Sequence, residues 1–205
     1  MDAIVFLVLG GVFTSAMSGN TILLGLAAGQ GHVEAALRSL AALLGYVTGI
    51  SAGSLSLAKF QRGHGWTLAL EALFLAAFVA LWFVTGPPSG SLVIYGLVVL
   101  SAIAMGLQGA IGHAIGVPGI MTVVFTSTYT AIISDLVERA LAGHRPLLTT
   151  LAAQQLITLV TYLGSAVVVG IVATHGFKFA PIFPLAVVLV LLAGLRLRLI
   201  HLERR

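Results

Sequence analysis

Residues 72–134 read ALFLAAFVALWFVTGPPSGSLVIYGLVVLSAIAMGLQGAIGHAIGVPGIMTVVFTSTYTAIIS, a stretch without one Asp, Glu, Lys or Arg. A soluble domain cannot cover itself with such a segment. Its surface needs polar side chains, and charged residues normally supply about a quarter of a soluble sequence. Working outward from this stretch, the remainder is hardly more polar. Only 8% of the 205 residues are charged and 59% are hydrophobic, with a mean hydropathy of +1.12. Most of the surface must therefore meet lipid. A crossing helix takes about 20 apolar residues, so the chain has room for seven or eight crossings and no separate soluble domain.

Glycine, proline and charge divide the apolar runs. Ala3 to Leu9 is a short stub closed by Gly10-Gly11. Longer runs follow over Val12–Ala28, Ala35–Ala58, Trp66–Val84, Leu92–Ile115, Ile120–Leu141, Pro146–Thr174 and Pro181–Leu195. The expectation is an all-α polytopic membrane protein with seven spanning helices plus an N-terminal stub helix. Alternating ten-residue strands are missing, which excludes a porin-like barrel.

The net charge of +4 comes from basic residues scattered at the ends of apolar runs. They build no basic face, so no nucleic acid partner is expected. Their distribution speaks instead to orientation. With the C-terminus in the cytoplasm, Arg38, Arg139, Arg145, Arg196, Arg198, Arg204 and Arg205 fall inside, while Lys59, Arg62 and Lys178 fall outside. Cysteine is absent, which removes disulfide and thiol chemistry. Asp2 stands where a secretory signal would be basic, so the N-terminus does not read as a removable leader.

The sequence repeats itself. Asp2-Ala3-Ile4, Leu9-Gly10 and Ser18-Gly19-Asn20 are echoed by Gly109-Ala110-Ile111, Ile115-Gly116 and Thr126-Ser127-Thr128. Leu44-Gly45 and Lys59-Phe60 recur as Leu163-Gly164 and Lys178-Phe179. The order and near-constant offsets carry the argument, since single pairs match by chance in so apolar a chain. This reading gives a first membrane repeat over 1–90 and a second over 91–205. Each is a four-helix unit duplicated in parallel orientation, so that Lys59 and Lys178 share a side, with the first helix truncated. Substrate sites of repeat-built transporters lie at the repeat interface.

Phe13-x-Ser15-x-Met17-Ser18-Gly19-Asn20-Thr21 and Met105-Gly106-Leu107-Gln108 carry a family resemblance. Together with Asp2-Ala3, Leu9-Gly10-Gly11, Val117-Pro118-Gly119 and Thr126-Ser127-Thr128, they resemble the YoaK-like family of uncharacterised bacterial inner-membrane proteins, a domain of unknown function. The resemblance covers nearly the whole chain. Ser18 replaces a usual Thr, Gly109 a usual Asn, Gly112-His113 common basic residues and Ser127 a usual Gly. It implies a multi-pass protein of the bacterial inner (plasma) membrane and implies no settled biochemical role.

Ser18-Gly19-Asn20-Thr21 is the leading candidate site. Polar groups inside a membrane helix are costly unless a cavity, a ligand or a neighbour satisfies them. They line a solute site, or Asn20 bonds to another helix across a small-residue contact. Thr126 and Thr128 are the second copy's counterparts, with bonding back to their own helix as the structural alternative. Gln108 lies between Gly106 and Gly109 and serves either a helix contact or a pathway. Asp2 is an intramembrane carboxylate, a candidate proton or cation partner, or else a cap for the stub. Glu71 lies shallow enough to snorkel. Asp135 and Arg139, spaced i, i+4, form a local ion pair. Gln154 and Gln155 cannot both face one way, His113 is interfacial, and no His/Asp/Glu spacing suggests a metal. No cofactor is expected.

The predicted substrate-binding set is therefore Asp2, Ser18, Gly19, Asn20, Gln108, Thr126 and Thr128, serving a transporter or channel for a small polar or ionic solute. The alternative is a non-transporting membrane scaffold or sensor. An intramembrane hydrolase using Ser18 ranks below both, because no histidine sits mid-helix as its base, and no enzyme is expected. Expected partners are the lipid bilayer and the solute, with homo-oligomerisation left open.

Overall fold

The computed structural model describes residues 1–60, 63–86, 90–115, 125–175 and 177–197, and these form an all-helical structure. Eight helices follow one another: α1 Asp2–Val8, α2 Met17–Gly29, α3 Val33–Lys59, α4 Gly63–Thr85, α5 Ser91–Ile115, α6 Phe125–Leu141, α7 Thr150–His175 and α8 Ile182–Arg196. A short 3₁₀ turn, Phe177–Phe179, precedes α8. Val117-Pro118-Gly119, Arg62, Arg198, Arg204 and Arg205 lie outside the described residues.

Among the described residues four helices, α3, α4, α5 and α7, are long and apolar enough to cross a membrane, against the seven expected. α2 has 13 residues and α8 has 15. At 1.5 Å per residue these reach about 20 Å, short of the ~30 Å hydrocarbon layer. The physical reason for the short α2 is that the run from Val12 does not start as helix. Residues 9–16 form an irregular turn between α1 and α2.

The core is a parallel pair, α3 and α5, joined through small residues. A Cβ added to Gly49 would sit 2.1 Å from the Ile103 carbonyl oxygen, and one on Gly106 would sit 2.3 Å from that of Tyr46. Gly45 meets Ala102 and Gly53 meets Ala110 in the same way. Three glycines four apart thus lie on one stripe of α3, facing Ala102, Gly106 and Ala110 four apart on α5. Close backbone approach of this kind holds helices together in lipid, where burial from water contributes nothing between them.

α4 runs back antiparallel to α5, with Phe78 and Trp82 packed beside Leu97 and Val98. α8 runs antiparallel to α4. Gly65 lies beside Leu195, and at the other end the Trp82 indole N–H donates to the Lys178 carbonyl at 3.2 Å while Phe83 packs on Phe179. This corrects the expected parallel duplication. Lys59 adjoins the start of α4 and Lys178 its end, so the two lysines lie on opposite faces of the bundle.

The cause lies in α1 and α2. Val5, Leu9 and Val12 pack with Ala42, Phe78, Trp82, Leu97 and Val98, and Gly10 abuts the Arg38 guanidinium. α1 therefore descends towards the Arg38 end of α3, and Gly10 and Gly11 reverse the chain at φ +89° and +75°, a region L side chains rarely adopt. The chain climbs back to mid-depth, where Met17 packs on the cluster of Tyr46, Leu75 and Met105. α2 then descends again to the Arg38 end. It enters and leaves on one side, so α2 does not cross the bundle.

Candidate functional site

Two buried polar side chains hold the irregular 9–16 turn together. Asp2 Oδ1 accepts the Thr14 and Ser15 backbone N–H groups at 2.6 and 2.7 Å and the Thr14 hydroxyl at 2.9 Å. Its Oδ2 accepts the Ser15 hydroxyl and, from α7, the Tyr162 hydroxyl at 3.2 Å. Asn20, fully buried, clasps the backbone of Phe13. Its Oδ1 accepts the Phe13 N–H at 2.9 Å and its Nδ2 donates to the Phe13 carbonyl at 2.7 Å. Non-helical backbone survives at membrane depth only where protein or water satisfies its polar groups. Here protein does so.

Glu71 is different. Eight residues into α4, it is fully buried, and neither carboxylate oxygen has a hydrogen-bond partner among the described residues. The expected snorkelling does not occur, because this face of α4 is turned to the interior, between Leu68 and Leu75 of the core. Burying an unpaired carboxylate is among the costlier things a fold can do.

Glu71 forms part of the wall of a cavity of about 530 Å³ between α1, α4, α5, α7 and α8. Asp2, Gln108, Tyr162 and Ser165 supply its other polar side chains. Val169, Val172, Phe183, Val187 and their neighbours make the rest apolar. Among the described residues no Lys, Arg or His side chain lines it, though Met1 does. A site with apolar walls and a few convergent polar groups is the usual form of a small-molecule pocket.

Residues 1–195 match the model of a family described as a protein of unknown function (DUF1275). The chain belongs to this family. It is also 34% identical over 145 residues to the UPF0700 transmembrane protein YoaK of Bacillus subtilis (strain 168), a match covering 68% of this chain and 62% of that protein's length. No solved structure matches the chain. The expected family resemblance is thereby established, and the membrane setting agrees with a transmembrane relative.

Within this family member the predicted site residues part company. Asp2 and Gln108 line the cavity. Asn20 bonds to Phe13 rather than to another helix, and Gly19 packs against the Phe13 ring. Ser18 is exposed on α2, Thr126 is exposed and Thr128 buried on α6, and none of these lines the cavity. Asp135 and Arg139 pair at 3.1 Å as expected; Gln154 is exposed and Gln155 buried. Three polar cavity residues, Glu71, Tyr162 and Ser165, were missed as site residues. Glu71 carried a visible signal, a carboxylate inside an apolar run. Tyr162 carried none, since nothing in the sequence places α7 against α1.

Proposed function

We propose that this protein is a membrane transporter or channel for a small polar or ionic solute, and that the cavity beside Glu71 is its binding site. The single observation behind this reading is a fully buried, unpartnered carboxyl in the wall of a membrane-depth cavity. Such groups are costly and mark solute and ion pathways.

The architecture supports the same reading. Taking 1–90 and 91–205 as repeats, α2, α3 and α4 begin 108, 117 and 119 residues before α6, α7 and α8. Contacts pair off in the same way: α2 with α3 and α6 with α7, α3 with α5 and α7 with α1, and α4 with α8 across the centre. Antiparallel α4 and α8 make the relation an inverted one. Inverted repeats with broken helices at their interface are a recurrent transporter plan. The non-helical turn before α2 is such a break, and the cavity lies where elements of both halves meet.

Orientation follows from charge. Lys59 and Arg196 lie at one end of the bundle. Arg139 and Arg145 join them, because α7 leaves that end, passes Asp2 at Tyr162 and finishes beside Trp82. Arg38 and Lys178 lie at the other. The positive-inside rule then places Lys59 and the C-terminal end of α8 in the cytoplasm of the bacterial inner membrane. The exposed position of Ser18 counts against a hydrolase, and we read the protein as non-catalytic.

Reconstitution into proteoliposomes tests the proposal. Uptake of some member of a panel of labelled amines, amino acids, organic acids and inorganic ions, abolished by filling the cavity with Val187→Trp, is expected. Folded protein that moves no member of the panel would favour a scaffold or sensor.

A further inference from the structure

Resting on that reading, we infer that the solute is a protonated amine with an apolar body, its ammonium group seated on Glu71 and its hydrocarbon part against α7 and α8. Three observations converge. The two carboxyls of the cavity have unequal bonding. Asp2 already accepts five hydrogen bonds from Thr14, Ser15 and Tyr162, leaving it little capacity for a ligand. Glu71 accepts none, so a hydrogen-bond donor is what it lacks, and a charged donor satisfies a carboxylate best. An ammonium offers three N–H donors and a charge in one compact group.

The second observation is the wall. An inorganic cation requires several oxygen ligands within about 2.6 Å, and among the described residues no group of three acidic or histidine side chains is placed to hold one. Most of the wall is instead Val168, Val169, Val172, Phe179, Phe183 and Val187, which suits hydrocarbon. The third observation is size. A volume of about 530 Å³ lies in the range of pockets that enclose whole organic ligands, far more than a proton or bare ion needs. Gln108 and Ser165 complete the polar part of the wall and provide a carbonyl and a hydroxyl for the remaining ammonium protons.

The test is equilibrium binding to the purified full chain in detergent at pH 7, by calorimetry, with three probes of one shape: phenethylamine, 2-phenylethanol and phenylacetate. The expected result is that phenethylamine binds at least tenfold more tightly than the alcohol and that phenylacetate does not bind. Glu71→Gln, which keeps the side-chain shape, should abolish the preference for the amine over the alcohol. Val187→Trp should weaken both probes while leaving Glu71 intact, and serves as the check if Glu71→Gln folds poorly. Equal binding of amine and alcohol to the wild type, or an amine preference that survives Glu71→Gln, overturns the inference; tighter binding of phenylacetate does so as well. Flux separates the two claims. Transport of another solute without amine binding sinks this inference alone, and amine binding without flux sinks the transport reading alone.

Discussion

The Tyr162 hydroxyl donates to the Asp2 carboxylate at 3.2 Å across 160 positions of sequence. One carboxylate thus holds the 9–16 turn through Thr14 and Ser15 and ties it to α7, which otherwise has few buried neighbours along its spanning window, only 6% of which is buried. α1 and α7 are the elements this bond joins, and the cavity opens beside it.

Removing the tie should be felt in stability. A hydrogen bond to a charged group contributes about 1.5–3 kcal/mol, and each buried donor left unsatisfied costs about 1–3 kcal/mol. Tyr162→Phe should therefore cost about 2 kcal/mol. Asp2→Ala should cost more than about 3 kcal/mol, since it orphans two backbone N–H groups as well. Unfolding in mixed micelles measures both, and the double variant should be less destabilised than the sum of the two. Strict additivity would show that the pair does not interact.

Asn20 offers a contrast between a structural and a ligand-binding amide. It bonds twice to the Phe13 backbone and once, at 3.8 Å, to the Met17 sulfur, and it does not line the cavity. Asn20→Ala should cost about 2–4 kcal/mol, from two unsatisfied backbone groups, while solute affinity per folded molecule stays within about twofold. Gln108→Ala should do the reverse, weakening solute binding with a stability change under about 1 kcal/mol. Binding isotherms normalised to folded protein distinguish the two, and a large affinity loss in Asn20→Ala would return Asn20 to the site.

These two amides also show how far the sequence could be read. Composition and the uncharged run from Ala72 were enough for a helical membrane protein, because the bilayer constrains secondary structure almost alone. The motif around Asn20 is itself helical, and the break lies just before it, at residues 9–16. What a polar residue at such a break bonds to depends on the local path of the chain, and periodicity is silent on helices apolar all round. Hence the reversal at Gly10-Gly11 was hidden. Glu71 was misjudged for a related reason: depth along a helix is legible, but which face meets the interior is not.

The α3–α5 stripe was legible in hindsight from the four-residue spacing of Gly45, Gly49 and Gly53. It makes a sharp prediction. Gly49→Ala would place a methyl 2.1 Å from a backbone oxygen, and the helices must separate to admit it, at a cost of about 3 kcal/mol or more, at the upper end of overpacking penalties. Gly164→Ala on α7 meets nothing within 4 Å and should be neutral or stabilising by up to about 1 kcal/mol, the difference in helix propensity. Thermal inactivation of the two variants in one detergent compares them, and equal stability would argue that α3 and α5 are not in contact along this stripe.

The orientation of the two halves is the most consequential claim, and the chain is suited to testing it. It has no cysteine, so single-cysteine variants need no engineered background. Lys59, Lys178 and Arg196 are all exposed at helix ends. The parallel duplication suggested by matching Lys59-Phe60 to Lys178-Phe179 requires both lysine positions on one face of the membrane. The observed bonding of Lys178 to Trp82, at the far end of α4 from Gly63, requires opposite faces. In intact cells, a membrane-impermeant maleimide should label Lys178→Cys and spare Lys59→Cys and Arg196→Cys, which react only after permeabilisation. Labelling of Lys59→Cys and Lys178→Cys from the same side would restore the parallel arrangement and remove the inverted interface on which the cavity's role depends.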